Sequence, residues 1–344
     1  INYAGNTNEA VEVIPEFKEK ILELYRQHPE ESKKRWGENP FEVQNIMKYW
    51  VCSKDPRFHF IPTDTVYIKI DKEAVIRSGM VIPEEYRDSM PEYMKISLGG
   101  RTRLYRGQDL MLLEMIAQTN WERPLYMSMT VGRSNYLSTI SDFFVQEGLA
   151  YRITPFNWKE LGYSGDYDDF VTDTDKLYHN VMERFKFGGI KENPDYYMDE
   201  TINRMALTHR RLFSSLAMQL LTEGEKEKAL KVLDRAEEEL PSSLIPHEYF
   251  SGIEMGRAYM ILGEKEKACD ILGSMADESI EYLTWYNTLN KRRFASSMNE
   301  IYMRTRILQD IIRTLENGGE EYRDITEKYI NEFAAQYELM RNKG

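Results

Sequence analysis

The chain has 344 residues, with 57 acidic against 45 basic side chains and a net charge of −12. At roughly 150 residues per domain this length implies two domains, or one domain with an appended repeat array. A content of 42% hydrophobic and 30% charged residues excludes intrinsic disorder over most of it. The acidic balance also argues against a nucleic-acid binder, whose basic stripe is missing; the chain has only short runs such as Lys33-Lys34-Arg35.

The longest uncharged stretch, 212–222, is far shorter than the ~20 apolar residues that cross a bilayer. Cys52 and Cys269 lie far apart, form no CxxC or zinc spacing and read as buried thiols. The first residue is Ile1, with neither Met nor an apolar leader, so a piece of a longer protein is expected.

In chain order, residues 11–50 read as helical. Val13, Phe17, Ile21, Leu24 and Tyr25 recur at helical spacing, and Phe41, Ile46, Met47 and Trp50 begin a second helix after Asn39-Pro40. The charged run 28–38 between them, with Pro29 and Gly37, reads as a solvated connection or a frayed helix end. Alternating, β-branched residues at 65–70 predict a strand, with further strands at 93–98, 125–129 and 149–153. Leu110, Leu113, Ile116 and Ala117 form a helical stripe among them. This order favours a small mixed α/β layer. The Gly-, Asp- and Tyr-rich segment 156–175 is the expected domain boundary.

Beyond it the pattern is helical and carries an internal repeat. Gly-Glu-Lys-Glu-Lys-Ala occupies 224–229 and recurs identically at 263–268. Its surroundings fit the tetratricopeptide template, in which small and large residues alternate so that paired helices pack closely. Phe213, Leu216, Ala217 and Leu220 stripe helix A of the first copy, and Ala229, Leu233 and Ala236 stripe helix B, which Pro241 ends. Gly252, Met255, Gly256 and Tyr259 take the helix A places of the second copy, and Ala268, Leu272 and Met275 those of helix B.

The copies are offset by 263 − 224 = 39 positions. The usual repeat is about 34, so about five residues are inserted near 242–249. About three units are needed for stability, so the flanking helical stripes are expected to supply degenerate caps. The fold expected is therefore α+β: an α/β domain with N-terminal helices at 1–157, then a tetratricopeptide-like helical domain at 173–341 with its best repeats at 210–241 and 249–280.

No catalytic constellation stands out. The five histidines are never closer than thirty positions, so no local zinc motif exists. An EF-hand loop from Asp166 through Asp168, Asp169, Asp173 and Asp175 would need Gly and Glu where Val171 and Leu177 stand. A solvated loop, with Asp173 capping the next helix, is the reading preferred. Gly99-Gly100, Gly188-Gly189 and Gly318-Gly319 belong to no phosphate loop and read as turns and helix C-caps. Gly162-Tyr163-Ser164-Gly165 is one residue short of a nucleophile elbow. No cofactor and no metal are expected.

Several phrases in order carry a resemblance. They are Asp55-Pro56-Arg57-Phe58 with Phe60-Ile61-Pro62, Asp71-Lys72-Glu73-Ala74-Val75 and Asn120-Trp121-Glu122-Arg123-Pro124-Leu125-Tyr126. Glu147-Gly148-Leu149-Ala150-Tyr151-Arg152, Asp173-Thr174-Asp175-Lys176-Leu177-Tyr178, Phe185-Lys186-Phe187-Gly188-Gly189 and Tyr282-Leu283-Thr284-Trp285-Tyr286 follow. Together they resemble the soluble C-terminal region of a Bacteroidetes family of polytopic membrane proteins related to GT-C glycosyltransferases, including protein O-mannosyltransferases.

The resemblance implies a periplasmic module of an inner-membrane protein whose catalytic residues lie in a membrane portion outside this chain. Within the phrases, Trp121 and Tyr126 read as core-filling aromatics and Gly148 as the start of a strand. The function expected is a non-catalytic interaction module whose helical groove takes a polypeptide, a partner protein or the parent's own membrane portion. It does not insert into the membrane itself. The alternative is a stand-alone soluble carbohydrate-active enzyme with a site in the 58–155 layer, since strand ends of α/β sheets host sites.

In tetratricopeptide pairs the A helices line the concave side. The inward positions not used for packing are Arg211, Ser214 and Met218 in the first copy and Phe250, Ile253 and Arg257 in the second. Two guanidinium forks flanking apolar side chains suit an extended peptide. The competing arrangement has neighbouring acids neutralising both arginines and an adjacent helix covering the apolar positions.

Overall fold

The computed structural model describes residues 8–163, 170–193 and 195–341. A region of helices and small sheets is followed by an all-helical region. Two compact units meet at Asp173 and Thr174.

The first unit opens with β1 (Ala10–Val13), α1 (Phe17–Gln27), α2 (Pro29–Trp36) and α3 (Val43–Ile46). After them come β2 (Phe60–Ile61), β3 (Thr65–Lys69), α4 (Lys72–Arg77), β4 (Tyr93–Ser97) and β5 (Arg103–Tyr105). The unit closes with α5 (Met111–Thr119), β6 (Tyr126–Ser128), β7 (Phe144–Gln146), β8 (Ala150–Ile153) and β9 (Val171–Thr172).

The strands fall into three sheets. One has order β2-β1-β5, a second pairs β3 with β4, and the third has order β6-β8-β7-β9. β3 and β4 pair antiparallel with Ile68 opposite Met94. Val66, Ile68, Met94 and Ile96 all face the core, as their alternation requires.

One early expectation is corrected and an open alternative is decided. Val13 lies in a strand rather than a helix: Glu12 pairs with Phe60 on one side and with Arg103 on the other. The charged run 28–38 holds a helix, because Pro29 sits at its first turn with Glu30 and Glu31, while Lys33, Lys34 and Arg35 fill its last. That order of charges complements the helix dipole.

The first unit also runs past residue 157. Trp158 is buried, its Nε1–H donating to Thr154 Oγ1 at 2.9 Å, and Val171 of β9 pairs with Val145. Asp166, Asp168, Asp169, Ser164 and Gly165 lie outside the described residues. Cys52 is exposed rather than buried, whereas burial pushes the partly covered Cys269 thiol up. Trp121 is buried as expected, but Tyr126 is exposed.

The second unit contains α6 (Thr174–His179), α7 (Glu200–Thr222), α8 (Lys226–Glu239), α9 (Tyr249–Leu262), α10 (Lys265–Thr288), α11 (Lys291–Ser296), α12 (Met298–Asn317) and α13 (Arg323–Arg341). α7 packs on α8 and α9, α10 on α9, α12 and α13, and α12 on α9 and α13. Thus α7, α9 and α12 lie side by side, each with its chain successor or near-successor against it.

The repeated hexapeptide forms the same corner twice. Gly224 and Gly263 adopt φ of 82° and 79°, which only glycine does freely. Glu225 N–H reaches back to Leu220 O at 2.8 Å and Glu264 N–H to Tyr259 O at 2.9 Å. Ala229 and Ala268 then bury completely. All the apolar positions assigned to the two copies are buried.

Closeness in the second pair depends on glycine. A Cβ on Gly256 would stand 2.6 Å from Leu272 Cγ, and one on Gly252 would collide with Met275 Sδ. The connection 240–248 is organised by Arg210, which is fully buried on α7. Its Nη1 donates to Ile245 O at 2.6 Å and Pro246 O at 3.0 Å, and its Nη2 to Leu240 O.

Replacing Arg210 by Ala strands the carbonyls of buried Leu240 and Ile245 and removes the bond to Pro246 O, and should cost the second unit about 3 kcal/mol or more. Urea unfolding followed through Trp285, the one tryptophan in the sequence beyond residue 173, measures this directly. Gly256→Ala should cost about 1–3 kcal/mol by overpacking, and the same transition reports it.

Candidate functional site

The side-by-side helices α7, α9 and α12 carry all six groove residues or their neighbours. Arg211 pairs through Nε and Nη2 with the Glu248 carboxylate, and its guanidinium lies 5.7 Å from the Phe250 ring centre. Phe250 is 62% exposed. Ser214 is buried instead, its Oγ lying 2.8 Å from Glu254 Oε2 and 2.9 Å from Arg211 O. Ile253 is buried as well, and Met218 is half-buried. Arg257 is turned toward α12, with Nη2 3.4 Å from Thr314 Oγ1.

The structure therefore brings Arg211 and Phe250 together at the start of α9. Ser214 and Arg257 instead bridge neighbouring helices. Counting from a two-helix template places these residues on the open side, but α12 lies along α9 as a third member of that layer. The Arg211–Glu248 pair is one part of the competing arrangement, whereas Arg257 meets the Thr314 hydroxyl and Phe250 stays exposed.

Counting also missed the residues that extend this surface. Tyr249 donates its hydroxyl to Asp310. Burial, then that hydrogen bond, push its phenol pKa up. Arg306 interacts with the hydroxyls of both Tyr249 and Tyr302, which holds its guanidinium above the ordinary value, and lies 3.8 Å from Asp310. Tyr302 is 62% exposed. Tyr302, Arg306 and Asp310 recur at a spacing of four, so they share a face of α12, and that spacing was the available signal. Each of the two exposed rings thus has an arginine beside it, and each arginine carries its own carboxylate.

In the first unit the buried carboxylates have partners. Asp109 accepts the Tyr105 N–H at 2.9 Å and faces Arg101 at 3.4 Å; Glu147 accepts the Tyr126 hydroxyl at 2.6 Å and faces Arg152 at 3.4 Å. Among the described residues, no three His, Cys, Asp or Glu side chains group so as to hold a metal ion. No helix among them is long and apolar enough to cross a membrane.

Because Arg211 remains 55% exposed, its pair with Glu248 should contribute modestly. A double-mutant cycle with Arg211→Ala and Glu248→Ala should give a coupling of about 0.2–1 kcal/mol. It should shrink as salt is raised, which unfolding at two ionic strengths measures.

Residues 1–174 match the family described as TMEM260-associated domain 2, so the family match and the first compact unit end within one residue of each other. Neither a curated protein nor a solved structure matches the chain.

Proposed function

The chain belongs to the TMEM260-associated domain 2 family, and from that premise we propose that it is a non-catalytic interaction module of a membrane-embedded, glycosyltransferase-like protein. The reading places it on the periplasmic side of a Bacteroidetes inner membrane, as the resemblance of its ordered phrases implies. Its stacked helix pairs act as tetratricopeptide-like repeats, and the α7–α9–α12 side receives a polypeptide. That polypeptide is an acceptor protein or the membrane portion of the same parent chain.

The observation that carries this reading is that Phe250 and Tyr302 are both exposed and each has an arginine beside it, Arg211 at the Phe250 ring and Arg306 at the Tyr302 hydroxyl. Large aromatics and arginines are the side chains that dominate binding energy at protein interfaces. The local charges are balanced by Glu248 and Asp310. Attraction would therefore come from ring contact and guanidinium stacking more than from net charge.

A benzophenone amino acid at position 250 of the full-length parent protein, irradiated in native membranes, tests the reading. The expected product is a covalent adduct to polypeptide that Tyr302→Ala strongly weakens. Irradiation that yields no polypeptide adduct, or one indifferent to Tyr302→Ala, would overturn it.

A further inference from the structure

In the second unit, α10 runs into α12 through the short α11, and that corner joins unpaired positive charge to exposed aromatic surface. Lys291, Arg292 and Arg293 are consecutive and exposed, and among the described residues none has an ion-pair partner. The nearest acids in the chain are Glu281 and Glu300, so residues 282–299 carry three positive charges and no negative one. The whole chain carries −12. The other run of three bases, Lys33-Lys34-Arg35, is answered locally: Glu30 and Glu31 precede it, and Glu38 pairs with Lys33 at 3.0 Å. Nor does the 291–293 run serve its own helix. It fills the first turn of α11, the end at which a helix favours acids.

The same corner exposes large side chains. Of the five tryptophans, Trp50, Trp121 and Trp158 are buried and Trp36 is half-buried, whereas Trp285 is 54% exposed. Its ring rests beside the buried Tyr286, with centres 4.9 Å apart. Three residues back on α10, and so on the same face, Tyr282 is also exposed. Arg304 lies 3.9 Å from the Tyr282 ring centre and 3.2 Å from Glu278, which ties the end of α10 to the start of α12. Met298, the first residue of α12, is exposed as well. Six residues from Trp285 to Lys291 span no more than about 22 Å, so ring and charges share the corner.

We propose that the α10–α11–α12 corner docks on the surface of a bilayer containing anionic phospholipid. Trp285 and Met298 enter the boundary between headgroups and acyl chains, where tryptophan settles, and the three cations meet lipid phosphates. The apolar side chains favour this interface over a purely acidic polymer. No helix among the described residues is long and apolar enough to cross a membrane, so the contact is superficial. Acids elsewhere in the chain are repelled by the same lipids, which turns this corner toward the bilayer. Screening over about 8 Å at physiological ionic strength keeps the distant ones from cancelling the local attraction. Lipid docking here is independent of what the α7–α9–α12 side receives.

Sedimentation of the 344-residue chain with vesicles tests the proposal. Vesicles of phosphatidylcholine mixed with phosphatidylglycerol should bind it saturably, and phosphatidylcholine alone should not. The triple variant Lys291→Gln, Arg292→Gln, Arg293→Gln should weaken binding about a hundredfold. The matched triple Lys33→Gln, Lys34→Gln, Arg35→Gln removes the same charge elsewhere and should change it little. All six positions are exposed, so an unchanged melting temperature is expected in each variant. Phosphatidylcholine brominated on its acyl chains, added to the anionic vesicles, should quench tryptophan fluorescence in the wild type and not in Trp285→Phe. Absence of binding to the anionic vesicles, equal loss in the two triples, or quenching that survives Trp285→Phe would each overturn the proposal. Displacement by polyglutamate at matched charge would also overturn it and assign the corner to an acidic polypeptide.

Discussion

A guanidinium keeps its charge inside a protein, and in the second unit that fact is concentrated in Arg210. Its hydrogen-bond partners are backbone carbonyls on Leu240, Ile245 and Pro246. Burial lowers its pKa, with the charges of Glu237 and Glu248 opposing. Removing a charge from water costs several kcal/mol, so these carbonyls must stay in place around it. His247, buried beside them with Nε2 3.3 Å from Glu237, closes the same connection from the α8 side. The chain then leaves the connection at Glu248, within reach of Arg211. One residue of α7 thus faces inward and fixes the loop, and the next faces outward and meets what the loop delivers. The candidate surface follows from the core.

In the first unit, legibility in the sequence tracked element length. β3 and β4 are five residues each and alternate cleanly, so their period shows. β2, β5, β7 and β9 have two or three residues, too few for any period. Their existence depends on distant partners, as when Val11 pairs with Leu104. The α2 segment was hidden differently. Its charges look like a solvated run until their order along a helix axis is considered, acids first and bases last.

The second unit was more legible because an identical hexapeptide marks both corners, and the buried positions follow from it by helical spacing. The candidate surface was only partly legible. Arg211 and Phe250 could be placed on an outward face from their own helices. Whether Ser214, Ile253 and Arg257 were open depended on Glu254 and on α12, and a pattern read one helix at a time does not contain its neighbours. The arginine and tyrosine of α12 belong to a stretch with no repeat signature, so template counting never reached them.

Identical corners raise a problem of partner choice during folding, since α7 and α9 could each be offered the wrong second helix. Side-chain size discriminates between them. At an offset of 39, Phe213 and Ala236 answer to Gly252 and Met275, where a Cβ on the glycine would collide with the Met275 sulfur, while Ala217 and Leu233 answer to Gly256 and Leu272. Large and small are reversed at the first of these places and alike at the second. Exchanged mates would set Phe213 against Met275 in one hairpin and Gly252 against Ala236 in the other; crowding and a void are both penalised in a close-packed interior. Repeats that share a turn can misassemble as the chain collapses, and here the one inverted place favours pairing each first helix with the second helix that follows it in the chain.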